Sequence, residues 1–258
     1  MAKVLNFRPE QMFDQLRLFA QIPTLEAKII AREIITHTSK EANIVVEPEE
    51  LQQAVDNWRL MNQLDSIKAT QLWLRKHYLS LEEFGELISA TVLSSKLAQH
   101  LFKDKIEPYF VDYQLDYMQV SMYEIVLDDE GVAMELFYAM NEGEISFFEA
   151  AYQHIQDLEL SRRGGYKGTI YRKDLRPEIS ATVFAAAPPQ ILEPIVTSDG
   201  VHLIKVEELA KPQLDDVMRQ KIMSELFDSW LTQQAQQFEL RMNFATNREP
   251  VSQQLATV

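Results

Sequence analysis

From Pro23 to Leu101 the apolar residues recur every three or four positions, as in Leu25, Ile29, Ile30 and Ile34 and again in Phe84, Leu87, Ile88, Val92, Leu93 and Leu97. That spacing lines one face of a helix. Helix starts are marked as well. Pro48 suits a first helical position, where its missing N–H costs nothing, and Glu49 and Glu50 follow it in the first turn. Ser80 with Glu83 forms a capping box ahead of an apolar run. The pattern predicts helices near 24–38, 48–62, 66–77 and 81–102, with Trp58, Trp73 and Phe84 as packing residues between them.

After Pro108 the pattern changes. Tyr117 to Leu127 is β-branched and aromatic and predicts a strand, whereas Val132 to Met140 and Ser146 to His154 return to helical spacing. Five of the 7 glycines (Gly143, Gly164, Gly165, Gly168, Gly200) and Pro177, Pro188, Pro189 and Pro194 punctuate short elements here. Residues 195–207 predict a hairpin-like return strand. Such an order describes a small α+β unit of roughly 100 residues. Leu214, Val217, Met218, Ile222, Leu226, Phe227, Trp230 and Leu231 then trace one long amphipathic helix. Its apolar face is too long for the small unit to cover alone, so it is expected to pack on helices before Leu101. The expected organisation is 1–107 helical, 108–210 α+β, 211–246 a returning helix and 247–258 a polar tail.

Composition narrows the classes. With 46% hydrophobic and 25% charged residues, the chain of 258 residues is a folded, helix-rich protein of one or two domains. Zero Cys removes disulfide frameworks and thiolate metal sites, and no metal or cofactor is expected. A net charge of −14 repels phosphate backbones and anionic lipid, so polypeptides are better partners than nucleic acid or membrane. Arg8, Glu10, Asp14, Arg17 and Glu26 interrupt the first 30 residues, leaving no apolar core of a signal peptide. A cytoplasmic location is therefore expected.

Several segments, in order and spacing, carry a resemblance. They are the run from Ala133 through Gly143, Phe147 and Ala151 to Asp157, the loop Gly164-Gly165-Tyr166-Lys167-Gly168, then Leu175 to Ile179, and Gly200-Val201-His202-Leu203-Ile204-Lys205-Val206. Together they resemble the parvulin-type peptidyl-prolyl isomerases of the SurA and PrsA kind. The resemblance implies an α+β fold class, with a mostly helical, chaperone-like domain completed by a C-terminal helix and a parvulin-like α+β domain. It also implies isomerisation of X-Pro bonds in unphosphorylated, proline-containing or unfolded clients. The alternative is a catalytically weak parvulin-fold chaperone or adaptor that binds peptides, serving for example a peptide export or maturation system.

The chemistry suits these residues. An X-Pro bond crosses a barrier of about 20 kcal/mol, and stabilising the twisted amide needs an apolar cradle and a few polar groups, without a nucleophile or metal. By resemblance, Asp157 stands at the family's active-site Asp or Cys, and His202 at its closing-strand histidine. Leu175, Ile179 and Phe184 stand at the wall for the proline ring, with Tyr123 beside them. Each has an ordinary structural reading too: Asp157 as a helix-end residue, His202 as a core residue, the apolar residues as helix packing. Glu124 replaces the family's first-strand histidine, and Tyr166 with Lys167 replaces its Asp-Leu. Asp128, Asp129 and Glu130 after the first strand would repel phosphate. Between Glu159 and Arg176, six basic residues face two acidic ones, a solvated loop or a guide for acidic clients.

Overall fold

The structure, a computed structural model, describes residues 8–238, so the expected tail at 247–258 lies outside the described residues. The chain divides into a unit of Met1–Lys103 with Lys221–Val258 and a unit of Asp104–Gln220.

The first unit opens with α1 (Pro9–Leu18), α2 (Ile22–Glu41), α3 (Pro48–Met61), α4 (Ile67–Lys76) and α5 (Leu81–Phe102). The last four lie within a few residues of the predicted helices. α1 was not predicted; like α3, it buries no residue. At the start of α5, Ser80 Oγ accepts from the Glu83 N–H at 3.1 Å while the Glu83 carboxylate accepts from the Ser80 N–H at 2.7 Å. These bonds hold the Glu83 carboxyl below the usual carboxylate range. Phe84 is buried with Leu74 and Ile88, and the Trp58 ring stands edge-on to Trp73 at 4.7 Å and to Phe84 at 5.1 Å. Glu50 takes Lys96 at 2.6 Å, tying α3 to α5.

The second unit follows as α6 (Ile106–Asp112), β1 (Gln119–Leu127), α7 (Glu130–Glu142), α8 (Phe147–His154), α9 (Leu158–Arg162) and β2 (Tyr166–Tyr171). It continues through α10 (Pro177–Val183), β3 (Gln190–Ile191), β4 (Ile195–Thr197) and β5 (Gly200–Ala210). β1 begins two residues later than predicted, because Tyr117, itself buried, ends a 3-10 turn. The expected hairpin-like return strand at 195–207 is an antiparallel pair, β4 and β5, turning at Ser198 and Asp199. The strands make an antiparallel sheet in the order β2-β1-β5-β3, with β4 also on β5.

Alternation along the two central strands sorts their side chains onto two faces. Ile125, Leu127, Val201 and Leu203 pack with Ala133 and Met140 of α7 and Phe147 and Ala150 of α8. Val120, Met122, Ile204 and Val206 pack with Ile179 and Val183 of α10. Glu124 pairs with Ile204 and Val126 with His202, so Glu124 and His202 extend the α10 face of the sheet.

The last helix, α11 (Asp216–Ala235), runs across the boundary at Gln220 and Lys221, so the division falls inside the helix and not near residue 211. Its later residues Met223, Leu226, Phe227, Trp230 and Leu231 close around Leu97, Ala98 and Phe102 of α5, with Phe227 and Phe102 edge-on at 6.4 Å. The C-terminal helix therefore completes the helical unit's core, and the fold is α+β.

Candidate active site

A buried carboxylate organises the α10 face of the sheet. Glu124 is 9% exposed and His202 6%. Glu124 Oε1 lies 2.8 Å from His202 Nδ1, and Oε2 lies 3.2 Å from Lys167 Nζ. On the far side of the ring, His202 Nε2 lies 2.8 Å from Thr197 Oγ1, which also accepts from the Asp199 N–H at 3.1 Å. Lys167, Glu124, His202 and Thr197 thus form one line of polar contacts drawn from β2, β1, β5 and β4. A buried charge persists only when paired and hydrogen-bonded, and here each oxygen of Glu124 has its own partner.

A β-bulge puts Lys167 there. Met122 pairs with Gly168 and Tyr123 with Tyr166, so Lys167 is the extra residue between them, and a bulge re-aims the side chain it carries. The loop before it is held by a close approach: Glu124 N–H donates to the Gly165 carbonyl at 2.9 Å. Gly165 has φ +82, and a Cβ there would sit 2.7 Å from the Glu124 carbonyl oxygen. Gly165→Ala should cost about 1–3 kcal/mol from its left-handed backbone alone. A thermal melt equal to that of the unsubstituted protein would show that this approach is not required.

Beside the ion pair lies a cavity of about 440 Å³ lined by Glu124, Val126, Asp128, His154, Gln156 and Lys167, among others. Leu175, Ile179 and Phe184 belong to the apolar cluster on the same face of the sheet. Ile179 is fully packed, whereas Leu175 and Phe184 are partly exposed, so these two form the open part of that wall. The Arg172 guanidinium lies over the Phe184 ring at 5.1 Å.

Two sequence expectations are corrected. Tyr123, expected beside the apolar wall, points to the opposite face, because it precedes Glu124 in a strand of period two. There it meets Phe147 and Tyr166, with ring centroids 6.1 and 5.1 Å away. Burial pushes its phenol pKa up, and the Glu207 carboxylate nearby adds to the shift. Asp157, expected within the polar group, is an exposed N-cap: its Oδ1 accepts from the Leu160 N–H at 2.8 Å at the start of α9. The surrounding residues Gln156 and Leu160 line the cavity, but Asp157 makes no hydrogen bond to Glu124 or His202.

The basic stretch is largely engaged within its own unit. Arg163 lies over Tyr166, Lys173 over Tyr117 and Arg172 over Phe184, while Arg176 pairs with Asp199 and donates to Ser198 Oγ at 2.9 Å. Lys167 and Thr197 were not among the expected site residues. For Thr197 the signal was present in Thr197-Ser198-Asp199-Gly200, a turn in which a threonine hydroxyl takes a backbone N–H two residues on. Among the described residues no cluster of three or more His, Cys, Asp or Glu is arranged to hold a metal ion.

Residues 130–208 match the rotamase family, the PPIC-type PPIASE domain. That stretch includes Asp157, Lys167, Leu175, Ile179, Phe184, Thr197 and His202, while Glu124 on β1 lies just before it. The foldase protein PrsA of Caldanaerobacter subterraneus is 21% identical over 215 residues, covering 83% of this chain and 62% of that protein. PrsA of Oceanobacillus iheyensis is 21% identical over 208 residues, covering 81% and 67%. The chain thus spans 62% to 67% of the length of these two relatives. The chaperone SurA of Cupriavidus metallidurans is 31% identical over 111 residues, 38% of this chain and 22% of that one. The solved structure of the peptidylprolyl isomerase PrsA from Bacillus anthracis shares the fold, with a TM-score of 0.52 at 20% identity over 84% of this chain and 98% of that one. The chain therefore carries a PPIC-type rotamase domain joined to a helical unit, and shares its fold with the PrsA structure.

Proposed function

We propose that the chain is a peptidyl-prolyl cis/trans isomerase that acts as a foldase on extended, unphosphorylated polypeptides. The observation that carries this reading is the pairing of a buried polar line, Glu124 with His202, and an apolar wall, Leu175 with Phe184, on one face of a rotamase-type sheet. Rotation about an X-Pro bond removes amide resonance, leaving a more carbonyl-like C=O and a more basic nitrogen. The proline ring rests against the wall while fixed dipoles of the polar line favour the twisted amide over the planar one. Both nitrogens of His202 face protein groups, so the ring holds the floor of the site and is not a nucleophile.

Relatives named foldase and chaperone support unfolded polypeptides as clients. A phosphate-directed preference is disfavoured by Asp128 at the cavity and by Asp129 and Glu130 beyond it. Among the described residues no helix is long and apolar enough to cross a membrane. A cytoplasmic place of action is part of the proposal and is tested by fractionating cells that make the native protein.

The test is a proline-isomerisation assay on unphosphorylated tetrapeptides with the full chain. Acceleration above the spontaneous rate, lost in His202→Ala, is the expected result. Peptide binding with no acceleration would replace the enzyme by the adaptor, a use of the same groove that the exchange of a histidine for Glu124 would fit.

A further inference from the structure

Glu124 is a carboxylate on the buried floor of the site proposed above, and the element that makes it tolerable is Lys167. Of the groups around Glu124, His202 on β5 contacts Oε1, Lys167 on β2 contacts Oε2, and Asp128 and His154 line the same cavity. Thr197 on β4 stands behind His202. Asp128 adds negative charge, and His154 is the remaining titratable base. Lys167 therefore supplies the fixed positive charge of the group. Its side chain is 38% exposed while that of Glu124 is 10%, so the ammonium reaches inward from the rim.

We propose that Lys167 is a positioning residue: it balances the charge of Glu124, so that His202 serves as an uncharged member of the floor and not as the counter-ion. Glu124 and Lys167 then act as one neutral unit. Without Lys167 the carboxylate keeps only its contact with His202, and the balancing of its charge falls to that ring. The two halves of the pair are unequal. Removing Glu124 frees a lysine that can turn to water, whereas removing Lys167 strands a buried charge, which is the costlier error.

This inference rests on the isomerase reading only for its kinetic arm. The test measures Lys167→Met, Lys167→Arg, Glu124→Gln and the double variant Glu124→Gln/Lys167→Met, by isomerisation rate and by the ¹⁵N resonances of the His202 ring at neutral pH. Lys167→Met is expected to lower kcat/KM by about tenfold and to move both ring nitrogens to imidazolium positions. Lys167→Arg should restore both, and the double variant should recover most of what Lys167→Met loses. If the ring spectrum of Lys167→Met matches the unsubstituted protein, or the two substitutions simply add, the proposal is overturned. Should no variant and no unsubstituted protein isomerise any peptide, the ring spectra still decide it. Lys167→Arg and the double variant, which strand no charge, keep the test open if Lys167→Met folds poorly.

Discussion

Phe84→Ala lowers the stability of the helical unit by about 3–5 kcal/mol, the usual cost of deleting a buried aromatic ring where the surroundings cannot collapse. Phe84 is 1% exposed and is enclosed by two indole rings, by Leu74 and by Ile88. Little can move in to fill its place, since Trp58 and Trp73 already hold each other edge-on. The chain provides its own reporter. Its 3 tryptophans, Trp58, Trp73 and Trp230, all belong to the helical unit, so tryptophan fluorescence during denaturant unfolding follows that unit alone. The midpoint of the fluorescence transition should fall steeply in Phe84→Ala with its slope unchanged. An unmoved midpoint would mean that the ring is dispensable and that the cluster around it is loosely packed.

That core was legible in the sequence because helices announce themselves locally. A stripe repeated at three and four residues, a capping box at Ser80 and a proline at position 48 each carry their meaning within one or two turns. α1 lies before Pro23, outside the stretch in which that stripe is read, and was not predicted. The active face was legible only in part. The resemblance placed Glu124 and His202 on one strand pair, and the ladder sets them 2.8 Å apart. Tyr123 was misplaced because the resemblance aligns neighbouring residues together, while a strand sends neighbours to opposite faces. Lys167 could not be placed at all without the ladder, since its direction depends on a bulge, and a bulge is a property of two strands and not of one. Asp157 had a valid local reading as a helix cap, and that is the bond it makes.

The same contrast yields the largest kinetic prediction. His202→Ala should lower kcat/KM by about a hundredfold, the size of loss that follows removal of one polar group from a preorganised site. It deletes the partner of the buried Glu124 Oε1 and one of the bonds of the half-buried Thr197 Oγ1, which keeps the Asp199 N–H. Asp157 should behave differently. Its Oδ1 caps α9, and losing a cap costs about 1 kcal/mol of stability, so Asp157→Ala should lower the melting temperature while kcat/KM falls only a few-fold. Asp157→Ser separates the two roles, because a serine hydroxyl still caps the helix but carries no charge. If the site depends on the polar line of Glu124 and His202, Asp157→Ser retains both stability and turnover. If Asp157→Ser keeps its melting temperature yet loses as much activity as His202→Ala, then the charge at Asp157 acts on the twisted amide. The cap in this structure would then be one of two uses of the same carboxylate.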